Sequence, residues 1–331
     1  MSASRHVYCT YFDHRYLTRG LAMIESLRRV GEHGRVWVLC LSDEAYETMH
    51  RVGSPGVEPI RLGDFELANP QVTAVRGQRS TMEYFFTMTP WFARYVMRLS
   101  PEANWVTYLD ADLWFFDSPK PIYDELESSS VGVIPHRFPS AQSWRLRYGT
   151  YNVGWVSFRL DDAGAACADW WAARCLEWCK DTPNAGRFAD QGYLDGFCAA
   201  VDGVRVIEHA GADLAPWNLR SHETAWGTRP AVTVDGRPLI FFHFHGLDRD
   251  AKRYYFKHAS YGARTTGVVR DGIYVPYLAA LAQAERELGP TVPAVEVIPR
   301  RGFGGSPLSW ARLVAFRGTS RLRGDFVEIP R

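Results

Sequence analysis

Apolar and polar positions along the chain alternate between two periods, one short and one helical. His6 to Phe12 (HVYCTYF) is a compact run of β-branched and aromatic residues that predicts a buried first strand. Tyr16 to Val30 follows with Leu17, Leu21, Ile24 and Leu27 at helical spacing, and Gly31 closes it, so an amphipathic helix is expected there. Val36 to Leu41 predicts a second strand, Ser42 and Asp43 cap a second helix, and Val57 to Leu62 is a weaker third strand. This alternation predicts an α/β fold with a mostly parallel central sheet.

Further on, Glu83 to Leu99 has a helical pattern interrupted by Pro90, so two pieces are expected. Strands are expected at 105–109, 131–134 and 151–158, helices at 161–179 and 190–198, and a late strand at 239–242. Ile273 to Leu288 reads as the helix closing the compact part. The stretch from residue 290 onward carries seven arginines (Arg300, Arg301, Arg312, Arg317, Arg321, Arg323, Arg331) against three acids. Leu308, Trp310, Leu313, Val314 and Phe316 are interleaved with them. The expected division is one main domain at 1–290 and a basic, partly apolar extension at 291–331. Such an extension can lie on an anionic membrane surface or pack on its own domain.

Composition narrows the class. A chain of 331 residues with 46% hydrophobic and 14% aromatic content can bury a large core. A net charge of +1 gives no global attraction to nucleic acid, so a nucleic-acid partner is not expected. Six cysteines without a Cys-x-x-Cys pair fit reduced core thiols. No signal peptide and no apolar run of about 20 residues is visible, so the expected location is the cytoplasm, peripherally at the inner membrane face if the extension binds lipid.

The chemistry concentrates where strand 105–109 stops at Asp110-Ala111-Asp112. Two unpaired buried anions would cost several kcal/mol, so they need a cation or the solvent-facing end of the strand. Residues i and i+2 of an extended segment project to the same side, so both carboxylates can reach one ion. Open α/β sheets bind ligands at the carboxyl ends of their strands. Hard oxygen ligands suit Mg²⁺ or Mn²⁺ and, beyond it, a diphosphate.

Four further stretches accompany this pair: Thr10-Tyr11-Phe12-Asp13-His14-Arg15-Tyr16, Tyr151-Asn152-Val153-Gly154, Ala189-Asp190-Gln191, and His243-Phe244-His245-Gly246. Together the set resembles the GT-A fold glycosyltransferases, most nearly the glycogenin and lipopolysaccharide-galactosyltransferase family of retaining UDP-hexose transferases, over roughly residues 6 to 250. The resemblance implies a Rossmann-like nucleotide-diphospho-sugar transferase fold. It also implies a UDP-sugar donor, a glycan or glycolipid acceptor of the kind used in cell-surface polysaccharide or lipopolysaccharide assembly, and Mn²⁺ or Mg²⁺. By the same resemblance Asp13 accepts the uracil N–H, with Tyr11 and Tyr16 beside the base. Asp110, Asp112 and His243 hold the metal, His245 being the other histidine in reach. Where the family carries a phosphate-binding lysine, this chain has Arg249, with Lys252 nearby. Asn152, Asp190 and Gln191 address the sugar. If configuration is inverted, Asp190 is the candidate base.

One family arginine is missing. Ala93 stands at the nearest position, and Arg94 or Arg79 are the expected substitutes. Trp217 reads either as a stacking platform for the acceptor or as a core residue. Asp13 and Asp190 can also be plain helix caps. Two rivals remain: an inactive GT-A domain that binds a sugar nucleotide or glycan, and a Mg²⁺-dependent haloacid-dehalogenase-type phosphatase. Leu113-Trp114 after the carboxylate pair and the pair's mid-chain position fit the phosphatase poorly.

Overall fold

The computed structural model describes residues 6–228, 231–289 and 307–329. Arg300, Arg301 and Arg331 of the expected extension, and the expected boundary after residue 290, lie outside the described residues. Seven strands form the central sheet: β1 (His6–Phe12), β2 (Val36–Cys40), β3 (Val57–Arg61), β4 (Trp105–Leu109), β6 (Val131–Pro135), β7 (Tyr151–Arg159) and β8 (Val204–Val206). The strand between β4 and β6, β5 (Leu113–Phe115), belongs to a separate two-stranded sheet.

The order across the central sheet is β3-β2-β1-β4-β7-β6-β8. All neighbours run parallel except β7, which is antiparallel to both β4 and β6. The expected α/β class with a mostly parallel sheet is what the structure shows. The chain grows outward from β1 to β3, then returns to lay β4 on the other side of β1. Between β1 and β4 the winding therefore reverses, and their carboxyl ends open a crevice.

Strand side chains serve both faces, as expected of a sheet covered on both sides. Val7, Cys9, Val106 and Tyr108 enter one core with Met88, Phe92 and Val96 of the helix Thr81–Leu99 and Trp171 of the helix Asp162–Glu177. Tyr8, Phe12, Trp105 and Leu109 enter the other with Leu17, Met23, Ile24 and Leu27 of the helix Leu17–Arg29. The helix Thr81–Leu99 is continuous through Pro90, where two pieces were expected. Proline there removes one backbone donor, but Pro90, Trp91 and Phe92 are all buried, and apolar packing on both sides holds the flanking turns together. A Ser80–Glu83 capping box fixes its start.

The late strand covers Phe241–His243 and pairs antiparallel with β5, placing His243 opposite Leu113. The Phe244 amide donates to the Asp112 carbonyl at 2.9 Å, so the pairing delivers His243 to the carboxylates. Beyond it, the hairpin Asp248–Arg249 and Arg253–Tyr255 acquires a third strand, Phe326–Glu328. The helix Pro307–Arg323 precedes that strand. Arg317 pairs with Asp248 at 2.8 Å, Arg321 donates to the Tyr255 hydroxyl at 2.7 Å, and Arg323 donates to the Ala263 carbonyl at 2.6 Å. These arginines of the extension are therefore bonded within the fold. Among the described residues no helix is long and apolar enough to cross a membrane.

Candidate metal and nucleotide site

Asp110, Asp112 and His243 offer three ligand atoms within 4.8 Å of one another at the mouth of the β1–β4 crevice. His243 Nε2 lies 3.1 Å from Asp112 Oδ1 and 3.6 Å from Asp110 Oδ2. Octahedral Mg²⁺ holds its oxygens at about 2.1 Å, which sets donors about 3 to 4.2 Å apart, and both His243 distances fall in that range. Its charges also call for a cation. Burial pushes the Asp110 carboxyl up to about 6. Burial opposes ionisation of Asp112 too, but the His243 imidazolium and the Arg19 guanidinium outweigh it and hold that carboxyl well below its usual range. Burial alone would keep His243 neutral; the facing Asp112 carboxylate drives it well above its ordinary value. The proton on Nε2 thus occupies the place a divalent ion would take.

Gly154 explains how the imidazole fits. A Cβ at this position would lie 2.7 Å from His243 Nδ1 and 2.5 Å from Asn152 Oδ1. The close approach that a strand glycine allows is used by the histidine ring. Gly154→Ala is expected to destabilise the protein by about 1–3 kcal/mol through overpacking, and to weaken Mn²⁺ uptake, read by urea titration and metal binding.

The other expected residues take distinct places in the structure. Tyr108 donates its hydroxyl to Asp110 Oδ1 at 3.0 Å, and its ring lies 5.7 Å from that of Tyr11. Tyr11 in turn faces Phe85 at 6.4 Å, a wall of a cavity of about 390 Å³ also lined by Asp13, His14, Ser42, Thr81 and Tyr84. Asp13 accepts from Arg15 Nε at 2.8 Å and from the Arg15 amide at 3.0 Å. Tyr16 carries the Arg19 guanidinium over its ring at 4.6 Å. Asn152 Nδ2 donates to Gln191 Oε1 at 3.3 Å, and Gln191 Nε2 donates to the Tyr148 carbonyl at 2.8 Å.

Asp190 stands at the cap position of a short turn but makes no side-chain cap bond, unlike the cap reading. Burial pushes its carboxyl up to about 7, against the Thr89 hydroxyl, which lowers it. An unfolded aspartate ionises near about 3.9. Between that value and neutrality the folded chain holds a proton the unfolded chain has lost, so raising pH through this window costs stability. Asp190→Asn removes the penalty. The expected gain over wild type is on the order of a few kcal/mol at pH 8, fading toward none near pH 4, read by thermal melts across pH.

Other expected residues are engaged elsewhere in the fold. Arg249, the expected phosphate contact, forms a salt bridge with Glu285 and lies over the Tyr254 ring. Lys252 is exposed at the hairpin turn. Ala93 is fully buried, Arg94 pairs with Asp169, and Arg79 donates to the Cys175, Leu176 and Cys179 carbonyls, so both arginines are engaged within the fold. Trp217 is 4% exposed, packed edge-on against His243 and His245, which makes it support for the histidines. His245 stays outside the ligand trio, and burial with the nearby Lys257 charge lowers it to about 3.

Two side chains at the site were not expected. Arg19, 6% exposed, lies 4.0 Å from Asp112 Oδ2 and donates to the Leu247 carbonyl at 3.0 Å. Lys257 lies across Gly246, where a Cβ would sit 2.9 Å from its Nζ. Asp248, the carboxylate that acts on Lys257, is itself paired with Arg317. The sequence signal for Lys257 was weak, because it stands far outside the spacing that pointed to Arg249. Arg19 carried only the oddity of a charge in the first turn of an apolar helix.

No protein-family model matches the chain. The Bacillus subtilis (strain 168) uncharacterized protein YfnF is 33% identical over 246 residues, which is 72% of this chain and 80% of that protein. This chain belongs to the YfnF family. The uncharacterized protein YfnD of the same organism is 27% identical over 275 residues, 82% of this chain and 87% of YfnD. Similar solved structures include the galactosyltransferase LgtC with donor and acceptor sugar analogs, at 17% identity and a TM-score of 0.48, covering 72% of this chain and 87% of LgtC. Mouse xyloside xylosyltransferase 1 is 13% identical with a TM-score of 0.47, covering 73% of this chain and 98% of that one. Both of these are glycosyltransferases.

Proposed function

We propose that the protein is a metal-dependent glycosyltransferase of the GT-A type that moves a hexose from a UDP-sugar to a hydroxyl of a glycan or lipid-linked acceptor, with retention of configuration. The observation that carries this reading is the meeting of Asp110, Asp112 and His243 at the β1–β4 switch point; a separate cavity of about 390 Å³ beside Asp13 and Phe85 offers room for the base. That volume lies within the range of small-molecule sites.

In this reading Asp110, Asp112 and His243 hold Mn²⁺ or Mg²⁺. The bound ion neutralises charge gathering on the diphosphate as the glycosidic bond breaks. Asp13 and Tyr16 hold the base, Asp13 with oxygen lone pairs to spare beyond its bonds to Arg15. Lys257 takes the phosphate role in place of Arg249. Asn152 and Gln191, already bonded to each other, present fixed amides to the sugar, and Asp190 faces its hydroxyls. Attachment to an anionic membrane through the extension would fall to Arg312 and the exposed Val314 and Leu322, since Arg317, Arg321 and Arg323 are bonded within the fold.

The test is a panel of UDP-sugars with and without Mn²⁺, followed by release of UDP. Mn²⁺-stimulated UDP release from one donor is expected, with NMR of the product reporting the anomer. A domain that only binds sugar nucleotides gives a thermal shift and no UDP.

A further inference from the structure

We infer that Asp213 is a positioning residue that fixes the His243 imidazole as a metal ligand through its Nδ1. The inference rests on the reading that Asp110, Asp112 and His243 hold a divalent ion.

Asp213 is fully buried, and among the described residues neither carboxylate oxygen has a hydrogen-bond partner. A buried carboxylate in that condition must face a cation or a donor. The group it faces is His243, whose Nδ1 lies 3.5 Å from Asp213 Oδ1 and is likewise without a hydrogen bond. The other cation nearby, Arg137, gives its guanidinium to the Ala212, Ile207 and His209 carbonyls. The two orphaned groups therefore answer each other. The backbone keeps them in register: the His243 amide donates to the Leu214 carbonyl at 2.8 Å, and Asn218 Nδ2 donates to the Asp213 carbonyl at 2.9 Å. Asp213 holds a φ of +61°, a left-handed conformation unusual for a residue that is not glycine, which the surrounding bonds maintain.

The consequence concerns which ring nitrogen is free. With its proton on Nδ1 and aimed at Asp213, the neutral imidazole turns its Nε2 lone pair toward Asp110 and Asp112. A carboxylate behind a metal-bound histidine fixes the tautomer and raises ligand basicity. No motif marks Asp213, because it lies thirty residues before its partner.

The experiment compares Mn²⁺ binding, by electron paramagnetic resonance of free ion, with the melting temperature of the metal-free protein. Asp213→Asn is expected to weaken Mn²⁺ binding by about tenfold to a hundredfold. The metal-free variant is expected to stay folded, because asparagine keeps the shape and a carbonyl oxygen facing the ring. Unchanged Mn²⁺ affinity in the folded variant overturns the inference alone. A wild-type protein that takes up no Mn²⁺ overturns the metal reading and this one with it. Should the variant not fold, long-range ¹H–¹⁵N spectra of the Mg²⁺-loaded wild type decide: a proton on His243 Nδ1 supports the inference, and a proton on Nε2 overturns it.

Discussion

Asp112→Asn is expected to lose metal-stimulated sugar transfer by about a thousandfold while the protein stays folded. Asp112 is the carboxylate that faces the His243 Nε2 at 3.1 Å, and it is the more strongly ionised of the pair. An asparagine keeps the shape and one weak oxygen donor but removes the anion that fixes a hard cation. Charge stabilisation of a leaving group by such an ion is worth several kcal/mol, and about 4 kcal/mol corresponds to a factor of a thousand in rate. The fold should survive because the main-chain bond from Phe244 to the Asp112 carbonyl is untouched and the loss of one anion relieves repulsion with Asp110. The measurement is turnover against Mn²⁺ concentration beside a thermal melt. Full activity in a folded variant would remove the metal assignment.

The second large effect separates two basic residues. Lys257→Ala is expected to slow transfer and raise the donor KM, by about tenfold to a hundredfold in kcat/KM, whereas Arg249→Ala should leave kcat/KM near wild type and lower the melting temperature. The amine of Lys257 lies across the Gly246 turn, and Asp248, the carboxylate that acts on it, is bonded to Arg317, so a diphosphate is a natural acceptor. A hydrogen bond to a charged group contributes about 1.5–3 kcal/mol, which sets the size of the loss. Arg249 already serves Glu285, and removing it strands that carboxylate. Steady-state kinetics with varied donor, run on both variants, checks the contrast; the opposite pattern would return the phosphate role to Arg249.

The comparison of expected and observed residues follows a physical rule. Period-two and helical patterns located β1, β2, β4 and the helix Leu17–Arg29 almost to the residue, because burial on one or both faces writes itself into local sequence. Asp110, Asp112 and His243 were legible because a strand end and a histidine turn are short local signals. Pro90 misled, since its local cost is overridden by packing that sequence does not display. For Arg249, linear spacing specified a position but not its partner Glu285, which a distant helix supplies. Lys257 and Arg19 come near the carboxylates and histidines through tertiary contacts alone, and no periodicity announces them.

The strand Phe326–Glu328 carries a practical lesson for anyone shortening this polypeptide. It completes the hairpin that leads from Gly246 to Lys257, and the Phe256 amide donates to the Asp325 carbonyl at 3.0 Å one residue before that lysine. A truncation at the apparent domain edge would leave the hairpin with a bare edge and the segment before Lys257 with one fewer anchor. Trimmed versions made for crystallisation should therefore be judged by catalysis and not only by whether they stay in solution.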